Sequence, residues 1–353
     1  RRTSTSSMNG PGSDVSATAG RRVSLRPDAR VAGMTEQRWK RTPGAWAVRI
    51  RGLAKRFGCV QAVSGLDMDV PLGGVHGLLG PNGSGKTTTL RMLLGLIRPD
   101  DGEMRIFDHE VPCGLPDVID RVGAIVESPT FAPNMSLRRN LEILAISTGV
   151  PSRRVTEVLL EVGLRGREKA AFRTCSLGMK QRLAIAATLL REPDMLIFDE
   201  PTNGLDPAGI QEIRTTMRAL ADAGRTVLVA SHLLGEIEQI ADSVSIMGRG
   251  RVIAAGDLEE FLNDGSEYVA VEIDDVPAAF ETLRQAGFGA QLVGGQLRVT
   301  RDEGLDPAAV ARVLGEADLW PRHLSLQRSS LESVFLELTE DERLTTTQGR
   351  AVA

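Results

Sequence analysis

Short apolar runs bounded by glycine and proline open the ordered part of the chain, which begins near Ala45. Residues 45–50, 66–70 and 75–79 are strand-like runs of this kind, and a helix is predicted at 86–96. After a strand at 122–126 the pattern turns helical, with apolar positions at helical spacing over 137–148, 152–162 and 179–191. Strands at 195–198, 226–230 and 243–247 then alternate with helices at 207–222 and 233–241. Such alternation predicts an α/β fold, a parallel sheet with helices on its faces. The helical stretch at about 133–178 reads as an inserted subdomain.

Beyond residue 265 a second pattern appears. A strand at 268–273, a helix at 277–286, strands at 290–293 and 296–300, a helix at 307–316 and a strand at 323–327 follow one another. This β-α-β-β-α-β order is that of a small ferredoxin-like α+β unit. A last helix is predicted at 330–338. The expected organisation is a basic, disordered extension at 1–44, a main domain at 45–265, an accessory domain at 266–340 and a polar tail at 341–353.

Composition narrows the function classes. The 353 residues suffice for two domains plus tails, and 42% apolar with 25% charged residues is ordinary for a soluble globular protein. A net charge of −4 is too mild to argue for a nucleic-acid partner, and none is expected. No run approaches the ~18–20 apolar residues that span a bilayer, and the N-terminus lacks the apolar stretch of a signal peptide. Three widely spaced cysteines, Cys59, Cys113 and Cys175, predict a reducing compartment and no disulfide framework. Residues 1–51 hold eleven Lys and Arg against three Asp and Glu. This arm reads either as a contact for anionic lipid or as an upstream extension, with Met34 opening a more ordered-looking stretch.

Gly80-Pro81-Asn82-Gly83-Ser84-Gly85-Lys86-Thr87 matches the phosphate-binding pattern G-x-x-x-x-G-K-[ST]. Its glycines let consecutive backbone N–H groups converge on phosphate oxygens, and the following helix points its positive dipole end at the same anion. Lys86 is placed for the β- and γ-phosphates, Thr88 lies beside the cradle, and the Thr87 hydroxyl is a candidate Mg²⁺ ligand. Background frequencies produce such a string on the order of once in a hundred chains of this length. Here an apolar strand enters it and a helix leaves it, as the motif requires.

A second constellation is the apolar strand at 195–198 running into Asp199 and Glu200. The carboxyl end of a parallel strand is where α/β ligands bind. Asp199 is a candidate for Mg²⁺, and Glu200, one residue on, for the general base that activates water.

These two motifs establish only a P-loop nucleoside triphosphatase. Cys175-Ser176-Leu177-Gly178-Met179-Lys180-Gln181-Arg182 resembles the signature of the ATP-binding-cassette (ABC) family, usually L-S-G-G-Q. Pro201-Thr202-Asn203-Gly204-Leu205-Asp206 resembles the D-loop segment, His232 the switch histidine, and Phe57 the aromatic that stacks on adenine. The resemblance covers roughly residues 46–260. It implies an ATPase that uses ATP and Mg²⁺, with Ser176 and Gly178 closing on the γ-phosphate held by a second copy in a head-to-tail homodimer. It implies a separate multi-span membrane permease as partner, and a peripheral position on the cytoplasmic face of the membrane. A soluble ABC ATPase of translation or DNA repair is the alternative. Such proteins usually carry two cassettes or a long coiled-coil insertion, and this chain has neither. A P-loop kinase is opposed by the signature and the D-loop.

Two motifs depart from the family pattern. The glutamine usual in the Q-loop, which touches Mg²⁺ and faces the membrane partner, is replaced by Glu127, and Leu177 and Met179 stand where the signature has Gly and Gln. A carboxylate only accepts hydrogen bonds, so it suits Mg²⁺ but repels a bare phosphate. Together these features resemble the cassettes of bacterial drug, bacitracin-type and lantibiotic-immunity exporters. That likeness implies an exporter of drugs, antibiotics or peptides, with a coupling groove formed by Glu127, Pro129–Pro133 and the helical subdomain.

Overall fold

The computed structural model describes residues 45–127, 130–263, 267–293, 296–300, 305–327, 330–332 and 334–335. The extension at 1–44, the tail at 341–353, Pro129 and much of the helix expected at 330–338 lie outside the described residues.

β1 (Trp46–Phe57) and β2 (Val60–Pro71) form an antiparallel hairpin. Both strands run well past the expected 45–50 and 66–70. The glycines that broke the pattern are absorbed, Gly52 (φ +60) in a register shift between Ile50 and Leu53. Gly58 (φ +57) opens the two-residue turn to β2. β3 (Gly74–Leu79) follows, then α1 (Lys86–Leu93), which stops short of the expected 96 as Gly95 turns the chain at φ +69. β4 (Asp101–Ile106) and β5 (His109–Val111) complete a four-stranded sheet of order β2-β1-β4-β5. They escaped the pattern because β4 buries only Met104 and Ile106.

The central sheet has six strands in the order β10-β9-β3-β8-β7-β6. Its members after β3 are β6 (Val122–Ile125), β7 (Met195–Asp199), β8 (Thr226–Ser231), β9 (Ser243–Gly248) and β10 (Arg251–Asp257). All are parallel except β10, which returns antiparallel along β9. Successive residues of β7 and β8 serve opposite cores, as the two-residue period of a strand requires. Leu196, Phe198, Val227 and Val229 enter one cluster, and Met195, Ile197, Leu228 and Ala230 the other. A sheet buried on both faces explains the continuous apolar runs seen in the sequence.

α2 (Leu115–Val118) leads to β6, and the helical subdomain follows as α3 (Leu137–Ser147), α4 (Ser152–Glu161) and α5 (Leu177–Leu189). Ser136 caps α3 by accepting from Arg139 N at 3.1 Å. α6 (Pro207–Asp222) has the expected bounds. The helix expected at 233–241 is only α7 (Leu234–Ile237), followed by α8 (Leu258–Asn263) after β10.

The C-terminal residues form β11 (Tyr268–Glu272), α9 (Val276–Gln285), β12 (Gly289–Val293), β13 (Gln296–Thr300), α10 (Pro307–Glu316) and β14 (His323–Gln327). Their strands make an antiparallel sheet of order β12-β13-β11-β14 around a separate core of Val269, Leu283, Leu297 and Leu314. The chain then returns to the main domain. Leu331 is fully buried in the same cluster as Ile237 and Ile240, and its N–H donates to Glu238 Oε2 at 2.9 Å.

Candidate active site

Three strand ends meet at the carboxyl edge of the central sheet. Leu79, closing β3, is paired with Ser231 of β8, and Asp199, closing β7, with Ala230 of β8. The loops leaving these strands start about 4.8 Å apart and bring Lys86, Glu200 and His232 together.

The loop after β3 is shaped by glycine. A Cβ on Gly80 (φ +151) would lie 2.4 Å from Met247 O and 2.8 Å from Ser84 Oγ. One on Gly85 (φ +105) would lie 2.6 Å from Ala62 O. Neither place admits a side chain. Pro81, Asn82 and Gly83 form the exposed lip, and Ser84 N donates back to Pro81 O at 3.1 Å. The Ser84 hydroxyl is buried without a hydrogen-bond partner. α1 starts at Lys86 with no side-chain cap, which leaves its first N–H groups for an anion. A cradle closed to side chains, an unpaired buried hydroxyl and an uncapped helix start fit a polyphosphate.

Lys86 is 5% exposed. Its Nζ donates to Gly80 O at 2.7 Å and Pro81 O at 3.3 Å, and lies 3.5 Å from Glu200 Oε1. The other Glu200 oxygen, Oε2, is 2.8 Å from His232 Nδ1. Glu200 is thus shared between an ammonium and an imidazole. Its backbone is in the left-handed region (φ +48), with its N–H donating to Ala230 O at 2.9 Å. A neutral imidazole that donates through Nδ1 keeps only an acceptor at Nε2. His232 can therefore donate to a phosphate only as imidazolium or after releasing Glu200.

Burial pushes the Asp199 carboxyl above the usual range, and the Glu200 charge adds to the rise. A hydrogen bond from Thr87 and the charges of Lys86 and Arg91 work against it. Asp199 Oδ1 is buried and unpartnered. An open carboxylate oxygen beside a threonine hydroxyl suits a Mg²⁺ that arrives on a nucleotide, since such an ion takes few ligands from the protein. Glu127, the third expected ligand, has a charged partner of its own. Among the described residues no group of three or more His, Cys, Asp or Glu side chains could hold a metal. The Glu127 carboxylate is 78% exposed and takes an ion pair from Arg91 Nη2 at 3.0 Å.

The family profile described as ABC transporter matches residues 63–203. The bacitracin transport ATP-binding protein BcrA of Enterococcus faecalis is 39% identical over 243 residues, 68% of this chain and 79% of that protein. The daunorubicin/doxorubicin resistance ATP-binding protein DrrA of Streptomyces peucetius is 36% identical over 311 residues, 83% of this chain and 92% of its own. The chain belongs to the ABC transporter family. Among solved structures, cbiO1 from Clostridium perfringens, part of the ABC transporter complex cbiONQ, superposes with a TM-score of 0.57 at 26% identity. The match covers 69% of this chain and 95% of that one. As an ABC ATPase, the protein binds and hydrolyses ATP.

The remaining ABC motifs take up separate stations. Ser176 and Gly178 stand at the start of α5, where Ser176 Oγ accepts from Met179 N at 3.3 Å. Among the described residues no hydrogen bond or ion pair joins this segment to the phosphate loop of its own chain. The D-loop leaves Glu200 through a turn, Asn203 N donating to Glu200 O at 3.1 Å, and ends where Asp206 caps α6. Phe57 closes β1 with a 47% exposed side chain, and Lys55 Nζ sits 5.6 Å from its ring centroid. Sequence reasoning missed Arg91. The available signal was its spacing, four residues after Thr87 and so on the same helix face.

Proposed function

We propose that two copies of this ABC ATPase bind two ATP molecules between them, head to tail, and so drive a separate membrane permease that exports drugs, antibiotics or peptides. The carrying observation is an incomplete site. Lys86, Glu200 and His232 converge at the phosphate loop, while Ser176 and Gly178 present a capped helix start with no tie to it. A second copy would supply the missing donors. The bacitracin transport and daunorubicin/doxorubicin resistance relatives favour drugs or antibiotics as the cargo class. No helix among the described residues is long and apolar enough to cross a membrane, so a partner chain would form the pathway. In this organisation residues 45–265 are the motor and 266–340 an accessory unit.

In this reading Phe57 stacks on adenine, and the backbone of residues 80–88 and the Ser84 hydroxyl hold the phosphates. Thr87 and Asp199 hold Mg²⁺, which neutralises phosphate charge when bound. Lys86 leaves its loop carbonyls for the β- and γ-oxygens, which frees Glu200 from its ion pair. Glu200 then takes the proton of the attacking water, and His232, having released Glu200 and carrying its proton on Nε2, donates from that nitrogen to the γ-phosphate. The Ser176 hydroxyl and the N–H groups at Gly178 of the other copy stabilise the transferring phosphoryl charge.

Size-exclusion chromatography of Glu200→Gln with Mg-ATP tests the arrangement. The variant should retain ATP and elute as a dimer, and adding Ser176→Arg should return it to monomer. A Glu200→Gln protein that stays monomeric with bound ATP would overturn the head-to-tail site. Co-purification of a multi-span membrane chain from native membranes tests the permease, and its absence would favour the soluble alternative.

A further inference from the structure

Glu127, paired with Arg91, is a departure from the family pattern that the proposed mechanism does not use. Glu127 lies just beyond β6, the strand that ends the central sheet. It also lines a groove of about 300 Å³ with Leu144 of α3 and Ala187 of α5. Arg91 lies near the end of α1, the helix whose first turn carries Lys86 and Thr87. The Arg91–Glu127 contact at 3.0 Å therefore joins the wall of that groove to the phosphate-binding helix. Arg91 serves two acids at once, since its charge also acts on Asp199.

The charges explain why this pairing matters. Asp199 and Glu200 are already two carboxylates beside a place built for phosphates, with Lys86 as the cation among them. A third carboxylate adjoining this region adds repulsion toward any polyphosphate. A guanidinium cannot lose its proton in a protein, so the positive charge that meets Glu127 is permanent. We propose that Arg91 is a positioning residue that holds the Glu127 carboxylate on the phosphate-binding helix and supplies the counter-charge that makes an acid tolerable at this loop. The inference rests on the nucleotide-site reading above and deepens it. The pair stays closed on an empty site and eases as a metal-bearing nucleotide brings positive charge nearer Glu127.

Calorimetric titration of the full chain with ATP, with Mg²⁺ and separately with EDTA, tests this on Arg91→Gln, Arg91→Lys, Glu127→Gln and the double variant Arg91→Gln/Glu127→Gln. An exposed pair couples by roughly 0.2–1 kcal/mol, about 1.4- to 5-fold in affinity. Arg91→Gln should therefore weaken ATP binding about threefold, more in EDTA than in Mg²⁺. Arg91→Lys should stay near the parent, and the double variant should recover most of the loss. Losses that multiply in the double variant, or Arg91→Lys falling with Arg91→Gln, would overturn the proposal. If Arg91→Gln proves unstable, the swap Arg91→Glu/Glu127→Arg decides. It binds ATP more tightly than Arg91→Glu alone if the two side chains meet, and equally if they do not. A parent chain that bound no ATP would strike instead at the nucleotide-site reading.

Discussion

Glu200 combines chemistry and backbone strain at one residue, and two substitutions separate them. Its φ of +48 lies where a Cβ is crowded, at a cost of roughly 1–2 kcal/mol for an L-residue. It also precedes Pro201, which favours extended backbone for Glu200. The strain is held in place by the bond from its N–H to Ala230 O and by the side chain's grip on His232 and Lys86. Glu200→Ala removes the carboxylate and keeps the Cβ, whereas Glu200→Gly removes both. Glycine's greater freedom in the unfolded chain returns about 0.4–1 kcal/mol of the relief. The net advantage of glycine over alanine is then about 1 kcal/mol, or ~2–4 °C in melting temperature for a domain of this size. Both variants should lose hydrolysis by about 10²- to 10⁴-fold, the usual worth of a general base. Thermal unfolding followed by circular dichroism, beside a phosphate-release assay, reads both quantities. A glycine variant melting at or below the alanine variant would refute the strain argument. Turnover at the parent rate in either would remove Glu200 from the base role.

Two further outcomes follow from the site. Because burial raises the Asp199 carboxyl above its unfolded value, its ionised form costs stability above the unfolded carboxylate range near ~4, and the cost disappears at lower pH. Asp199→Asn should accordingly melt higher than the parent at pH ~7 without divalent metal and match it near pH ~3, and a pH series of melting curves that showed no convergence would contradict this. Phe57→Ala should weaken ATP binding about fivefold, the low end for an aromatic stacked on a base, with little change in melting because the ring is half exposed. An unchanged dissociation constant by titration calorimetry would take adenine stacking away from Phe57.

How much was legible in the sequence depended on how local each cause was. The phosphate loop could be read directly, because Gly80, Gly83 and Gly85 meet a local need for positive φ within one short run, although the carbonyls that crowd Gly80 and Gly85 belong to the distant Met247 and Ala62. The strands β7 and β8 were legible as continuous apolar runs because both of their faces are buried. β4 was not, since two buried residues among six give no pattern. The helix expected at 233–241 followed Leu233, Leu234, Ile237, Ile240 and Ala241 at helical spacing. Leu234, Ile237, Ile240 and Ala241 still face the core, but the backbone leaves the helix after Ile237. Glu200 and His232 were found by motif, yet their 2.8 Å contact comes from strand register, a relation between distant segments that no local pattern contains. Arg91 looked like any solvated helix arginine until its partner across 36 residues was seen. Glu127 was expected beside the metal because a carboxylate suits Mg²⁺. The guanidinium of Arg91 that it faces at 3.0 Å was invisible to that reasoning.

The return of Leu331 to the main domain bears on how the protein can be divided. A chain cut after β14 would shed Leu331 from a core it shares with Ile237 and Ile240, and would leave Glu238 without the amide it accepts from. Losing a buried leucine side chain costs about 2–5 kcal/mol where the surroundings cannot collapse. A fragment ending at β14 is thus a wounded molecule rather than a minimal one, and a weak ATPase measured on it would say little about what the C-terminal sheet contributes to the whole.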